Sequence, residues 1–316
     1  MVDSVPCQRE AEMKLLIDTD IGDDIDDAIA IIMALKSDAE IVGFTTVGGN
    51  TEGRARMVKR LLELSGREGI PVYAGCGGEG EDENAPLPPL FSEELFSEEY
   101  APDGVGGQKA ASFITEQCRR YGGELTLLAI GPLTNIAAAA RLDAQALRGV
   151  RTVMMGGAFF RQYADWNVSC DVESASYIFD TLPYMHCIGA DVTHGLRLTD
   201  EDEELMRGYR GDCPMLGYLS ELFSRYKSPD PTMPRTALHD PLALCYALDT
   251  SLCRMKEGRV QVVTAGCARG LTLNVESYGK SFMNPYYKDK EIPTQLLATE
   301  ADTDRAFGKF RALFKN

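Results

Sequence analysis

A chain of 316 residues, 44% of them hydrophobic, has the size of a single α/β domain built on one large sheet, here expected over residues 1–316. Its 48 acidic and 32 basic residues leave a net charge of −16, a surface that repels phosphate backbones and anionic lipid and so argues against nucleic-acid and membrane partners. No apolar run reaches the ~20 residues of a membrane span or resembles a signal peptide, and the nine cysteines form no CxxC pair, so reduced thiols and a cytoplasmic location are expected.

In chain order, Lys14–Ile17 reads as a strand. It runs into IDTDIGDDIDDAIA, which carries Asp18, Asp20, Asp23, Asp24, Asp26 and Asp27. Asp26–Leu35 reads as a helix, Ile41–Val47 as a strand closed by Gly48–Gly49–Asn50, and Arg54–Leu64 as a helix. Pro71–Ala74 is a short strand and Gln108–Cys118 a helix. Leu125–Ile130 is a strand, after which Gly131–Pro132 opens an alanine-rich helix. Strands follow at Val150–Met155 and Met185–Ala190. From Asp200 the pattern is helical to Asp249, then short strands such as Arg259–Thr264 follow, and a helix near Asp304–Phe314.

Glu79–Asp103 and the proline-rich Ser228–Thr236 fit neither period. Both have the length of lids, and the first reads equally as a disordered acidic excursion. The alternation predicts a mostly parallel central sheet flanked by helices, with ligands bound beyond the carboxyl ends of the strands. The residues expected there are Asp18, Asp20, Asn50, the Ile130–Gly131 turn, Gly156–Gly157 and Asp191.

Helix capping explains one or two of the six aspartates. Converging carboxylates otherwise need protons or a cation, and a hard divalent ion, Ca²⁺ or Mg²⁺, suits oxygen ligands. The spacing is not that of an EF-hand, because glycine falls fifth from Asp18 and Ile29 twelfth. Asp18–Thr19–Asp20 does fit a strand-end DxD of the haloacid-dehalogenase type. That reading makes Asp18 a phosphoryl acceptor beside Mg²⁺, and leaves Asp26 and Asp27 without a task.

Seven blocks in register carry a resemblance: Asp18–Gly22 with Asp26–Ala28, TTVGGN (Thr45–Asn50), AIGPLTNIA (Ala129–Ala137), MMGGAF (Met154–Phe159), DWNVSCDVESA (Asp165–Ala175), GADVTH (Gly189–His194) and LHDPLAL (Leu238–Leu244). Together they resemble the nucleoside hydrolase family, also called inosine-uridine preferring nucleoside hydrolases, over nearly the whole chain. The resemblance implies an open, Rossmann-like sheet and Ca²⁺-dependent hydrolysis of the N-glycosidic bond of ribonucleosides. It places metal ligands at Asp20, Asp27, the carbonyl of Ile130 and Asp240, with Asp20 as the base that activates water. It implies ribose contacts at Asp26, Asn50, Asp165 and Asn167, with Asp240 also near the substrate and Met155 beneath the ribose or in the core. It also implies a homodimer or homotetramer.

His239, beside Asp240, reads as the contact to the leaving base. His194 and His186 read as structural. Tyr226 and Phe223 either stack on the base or pack between helices, and Trp166 walls the pocket. The chain departs from the family pattern at five places, one being the short loop between Gly157 and Asp165, where only Gln162 stands for an asparagine. Ile21 stands for a proline, two extra residues precede Asp26, Asp165 stands for a glutamate, and Asp103–Gly107 lacks a histidine. The extra residues leave Asp23–Asp24 as rivals to Asp26–Asp27. Besides the hydrolase, a Mg²⁺ phosphatase using Asp18 and a non-catalytic nucleoside-binding protein are alternatives.

Overall fold

The computed structural model describes residues 13–78, 85–227, 236–275 and 291–315. The N-terminal segment with Cys7, residues 79–84 of the acidic loop and most of Ser228–Thr236 lie outside the described residues.

The first half alternates strand and helix: β1 (Lys14–Thr19), α1 (Asp26–Leu35), β2 (Glu40–Thr46), α2 (Thr51–Ser65), β3 (Val72–Ala74), β4 (Gly104–Val105), α3 (Gly107–Tyr121), β5 (Leu125–Ala129) and α4 (Thr134–Arg148). The second half continues with β6 (Arg151–Met155), α5 (Trp166–Cys170), α6 (Val172–Thr181), β7 (His186–Ile188), α7 (Ala190–Thr193), α8 (Asp200–Arg207), α9 (Pro214–Arg225) and α10 (His239–Leu248). It ends with β8 (Cys253–Val262), β9 (Thr272–Asn274), β10 (Thr294–Ala301) and α11 (Thr303–Ala312).

Among the described residues the strands form one sheet in the order β4-β3-β2-β1-β5-β6-β7-β10-β8-β9. Every neighbouring pair from β4 to β10 is parallel; β8 runs antiparallel to β10, and β9 to β8. The chain winds outward from β1 in one direction through β2, β3 and β4. It then returns and winds the other way from β5. The order therefore reverses between β1 and β5, and the carboxyl ends of those two strands flank the crevice where such sheets bind ligands.

Covered faces explain the apolar runs. Successive residues of a strand point to opposite sides. Leu15 and Ile17 enter a core shared with α1, α2, α9 and α10, while Leu16 enters a second core with α3, α4 and α6. A strand covered on both sides has no position for a polar residue, hence the unbroken LLI. Helix α1 is buried at every residue, because it lies between the sheet, α10 and α9. Each fully buried isoleucine there contributes about 1.5–3 kcal/mol of transfer energy.

The structure revises several expected elements. The strand expected over Met185–Ala190 ends at Ile188, because Gly189 and Ala190 turn into α7. Among the described residues, the stretch from Asp200 to Asp249 is not one helix but holds α8, α9 and α10. Arg259–Thr264 overlaps the end of the ten-residue β8, which stops at Val262, and β10 is a longer strand than the short ones expected in this stretch. The acidic loop is no loose excursion over residues 85–103: two short 3₁₀ turns pack on α2, and Leu90, Leu95 and Tyr100 are buried. Of the cysteines among the described residues, Cys76, Cys118, Cys187, Cys245 and Cys253 are buried, and none forms a disulfide.

One acid-labile staple ties the C-terminus to this frame. Thr199 and Asp202 form a capping box on α8, and the Arg311 guanidinium of α11 donates to both Asp202 oxygens at 2.6 and 2.9 Å. Burial alone would raise the Asp202 carboxyl, but the Arg311 fork and the Thr199 bonds outweigh it and hold the group below the ordinary 3.8. A carboxyl lowered in the folded state stabilises above its unfolded pKa and loses that contribution as pH falls through the folded one. The stability difference between wild type and Asp202→Asn is therefore complete at neutral pH and closes only below 3.8. Urea midpoints at stepped pH check this; a gap that persists unchanged in acid removes the fork from acid stability.

Candidate functional site

The crevice between β1 and β5 is where the aspartates gather. Strand β1 ends in Asp18 and Thr19, so Asp20 leaves the sheet at its carboxyl edge. Beside it the Ile130 amide donates to the Asp18 carbonyl at 2.8 Å and extends the ladder one residue beyond β5. Gly131 follows. A Cβ there would stand 3.0 Å from the Asp20 amide nitrogen and from its Oδ1, so only glycine lets this turn pass under Asp20.

Two helix N-termini complete the acidic nest. Asp26 and Asp27 open α1, and Asp240 lies in the first turn of α10. Carboxylate oxygens of Asp26, Asp27 and Asp240 lie within 4.8 Å of one another, all three residues buried. Asp26 caps α10 instead of its own helix: its Oδ2 accepts from the His239 and Asp240 amides at 3.1 and 3.2 Å. Asp27 accepts from the Thr19 hydroxyl. Burial pushes the Asp26, Asp27 and Asp240 carboxyls well above the usual range, and the charge of neighbouring aspartates pushes further. Asp20 is raised to about 7, by burial first, with Arg54 opposing and Asp23 and Asp165 adding. A divalent cation fits this donor set. The site offers it buried, mutually repelling hard oxygens, with no sulfur or imidazole among the converging three.

A second wall is built from β6 and α5. Asn167 donates to the Ile130 carbonyl at 2.9 Å and to the Met155 carbonyl at 3.2 Å, with Met155 Sδ at 3.5 Å. Asp165 caps α5, accepting from the Val168 amide at 3.2 Å, and burial raises its carboxyl. Gly156, at φ 142°, lets the chain approach: a Cβ there would be 3.0 Å from Asp165 Oδ1. Trp166 is 66% exposed between these two buried neighbours, so it faces solvent rather than the core. Asp191 accepts from the Phe159 and Phe160 amides and pairs with Arg161, which anchors the loop after β6.

His239 Nδ1 lies 2.7 Å from the Thr193 hydroxyl, and its ring meets that of His194 edge to face at 5.5 Å. Burial, then the neighbouring His194 and Arg197, lowers His239 to about 3, so the imidazole is neutral at physiological pH. His194 thus stands beside the site. His186 is distant from it in role: it opens β7, with Nδ1 2.6 Å from the Tyr246 hydroxyl. Phe223 is buried under Arg207 in the core, which decides for helix packing.

Of the four ion ligands that the resemblance implies, Asp27 and Asp240 converge, and the third member of the group is Asp26 rather than Asp20 or the Ile130 carbonyl. Asp26, Asp27 and Asp240 meet, Asp20 overlooks them, and Ile130, Met155, Asp165 and Asn167 join through hydrogen bonds and close approach. Asn50 spends both ends of its amide locally, accepting from the Gly53 amide to cap α2 and donating to the Ala85 carbonyl. The rival aspartates have other partners. Asp23 pairs with Arg54 at 2.7 Å, and Asp24 accepts from the Thr236 hydroxyl at 2.8 Å. Asp18, which the phosphatase reading needs as a nucleophile, has no exposed surface, and its Oδ1 accepts from Thr45 and Asn135.

Sequence reasoning missed Arg54, Asn135 and Thr193. Asn135 was in plain view within the block AIGPLTNIA but was given no task.

Comparison with known proteins places the chain among relatives of one family. The family profile described as inosine-uridine preferring nucleoside hydrolase matches residues 15–308. A probable uridine nucleosidase 2 of Arabidopsis thaliana is 31% identical over 313 residues, covering 92% of this chain and 93% of that protein. An inosine-uridine preferring nucleoside hydrolase of Leishmania major is 28% identical, covering 82% and 87%. Among solved structures, a plant nucleoside hydrolase superposes with a TM-score of 0.81 at 29% identity, covering 96% of this chain and 98% of that one. A purine-preferring ribonucleoside hydrolase from Gardnerella vaginalis gives 0.75 at 25% identity, covering 95% and 98%.

Proposed function

The chain belongs to the inosine-uridine preferring nucleoside hydrolase family, and from that premise we propose a Ca²⁺-dependent ribonucleoside hydrolase whose site is the acidic nest between β1 and β5. Its reaction is hydrolysis of the N-glycosidic bond of a ribonucleoside, giving ribose and a free base. The observation that carries the site assignment is the convergence of Asp26, Asp27 and Asp240, from helices over two hundred residues apart, onto one buried point beside Asp20.

Asp20, Asp27, Asp240 and the Ile130 carbonyl would hold the ion. When bound, Ca²⁺ supplies Lewis-acid polarisation of a water and of ribose hydroxyls. Asp20 takes the proton of the attacking water, its carboxylate being free of any direct bond to Arg54. Asp26 and Asp165 accept from ribose hydroxyls, and Asn167 fixes the Ile130 carbonyl and Met155 as the floor beneath the sugar. Cleavage develops positive charge on the ribose, and the surrounding carboxylates favour it. Thr193 engages His239 Nδ1, which leaves Nε2 of the neutral ring to hydrogen-bond the departing base. Buried thiols outside any disulfide suit a reducing, cytoplasmic compartment.

The test is base release from uridine, cytidine, inosine, adenosine and guanosine, with Ca²⁺ and after chelation. Release is expected from at least uridine, falling by about a hundredfold or more on chelation and returning when Ca²⁺ is restored. A folded, Ca²⁺-loaded protein that releases no base from any of the five would instead be a binding protein.

A further inference from the structure

Arg54 sits in the first turn of α2, yet the residue is only 5% exposed. The position is unfavourable on two counts. A cation at a helix N-terminus opposes the macrodipole, and arginine is rarely buried without full pairing. Here the pairing is full and spans two loops. Nε donates to the Gly48 carbonyl at 2.7 Å, after β2. One terminal nitrogen donates to the Ile21 carbonyl at 2.9 Å and to the Asp20 carbonyl, after β1. The other binds Asp23 Oδ2 at 2.7 Å.

The turn so clamped is the one that departs from the pattern this chain otherwise resembles, with Ile21 in place of proline and two extra residues. A proline fixes its own φ and stiffens a turn from within. This turn lacks that restraint and carries a buried guanidinium against its carbonyls instead. Arg54 touches only the main chain of Asp20. Asp23, which arrives with the longer turn, occupies the outer nitrogen.

We propose that Arg54 is the positioning residue for Asp20, clamping the β1–α1 turn to the β2–α2 turn, and that Asp23 keeps the guanidinium from pairing with the Asp20 carboxylate. This rests on the assignment of Asp20 as ion ligand and base. Lysine keeps the charge but offers a compact ammonium in place of the planar fork, so Arg54→Lys separates charge from geometry.

The experiment measures Ca²⁺ affinity by calorimetry without substrate, kcat and KM for uridine at saturating Ca²⁺, and Tm, for wild type, Arg54→Lys and Asp23→Asn. For Arg54→Lys, Ca²⁺ affinity and kcat are each expected to fall about tenfold or more, with KM within about threefold, because a displaced base costs rate more than binding. Asp23→Asn, altered at a half-exposed carboxylate, is expected to lower both in the same direction with little change in Tm. A folded Arg54→Lys with wild-type affinity and kcat, altered only in Tm, makes the residue structural and overturns the proposal. If Arg54→Lys does not fold, wild-type values in Asp23→Asn overturn it. If the wild type releases no base, the proposed reaction fails while the calorimetric comparison still decides the clamp; if it releases base without taking up Ca²⁺, kcat decides.

Discussion

Asp20→Asn lowers kcat for base release by about 10²–10⁴-fold, the usual contribution of a general base. The substitution is close to isosteric and leaves the Asp20 carbonyl to Arg54, so the turn keeps its path. It removes one charge from a nest in which Asp20 raises Asp27 and, to a smaller degree, Asp26 and Asp240. In the absence of metal the variant is therefore expected to melt above the wild type, and added Ca²⁺ to raise its Tm less. Removing a strained functional group commonly gains stability in this way. Melting curves with and without Ca²⁺, beside steady-state kinetics, check both halves. A variant within tenfold of wild-type kcat would take the base role from Asp20.

The second large effect falls on stability. Asn135, from the first turn of α4, has no exposed surface and braces three strand ends at once. Its Nδ2 donates to Asp18 Oδ1 at 2.8 Å and to the Thr46 carbonyl at 2.9 Å, and its Oδ1 accepts from the Cys76 amide at 2.8 Å. Gly75 has no side chain because a Cβ would run into this amide. Asn135→Ala strips a partner from each of three buried groups. Each loss costs about 1–3 kcal/mol, and about 3–5 kcal/mol together is a reasonable sum because Thr45 still serves Asp18. In a protein of this size that lowers Tm by roughly 5–8 °C. Asn135→Asp keeps the acceptor for Cys76 but sets a second carboxylate against Asp18, and is expected to be no more stable than the alanine variant at neutral pH. Thermal melts of the two variants decide; if the aspartate variant proves markedly the more stable, the bond to Asp18 is not what matters.

The inner half of the sheet was legible because burial there writes itself into composition. LLI admits no polar residue, and Asp26–Leu35 was read to the residue, since a change from carboxylates to a run of alanine and isoleucine marks a capped helix start. Toward the antiparallel edge the strands were legible only in part. The sequences of β8, CRMKEGRVQV, and β10, TQLLATEA, mix exposed and buried positions, and such polar alternation resembles many loops until the partner strand is known. At the site, carboxylates drew notice because six together demand an explanation. Arg54 looked like an ordinary solvent-face arginine opening a helix, and Asn135 like a helix-start asparagine. Both act on main-chain carbonyls and amides that only the sheet order brings within reach, so no local pattern could single them out. The register question was decided in the same way: Asp23 and Asp24 differ from Asp26 and Asp27 only in what tertiary contact each meets.

Synthesis runs in one direction, and the site does not. Asp26 and the Asp240 amide that it caps are 214 residues apart. At the ~5–20 residues per second of translation, α10 leaves the ribosome on the order of 10–40 s after α1. Throughout that interval a helix made of alanine, isoleucine, methionine and leucine, buried at every position in the finished protein, lacks its main helical cover. Two of the three converging carboxylates meanwhile have no third. Until α10 arrives, the nascent N-terminal half thus exposes an apolar helix and carries an acidic cluster that still lacks Asp240.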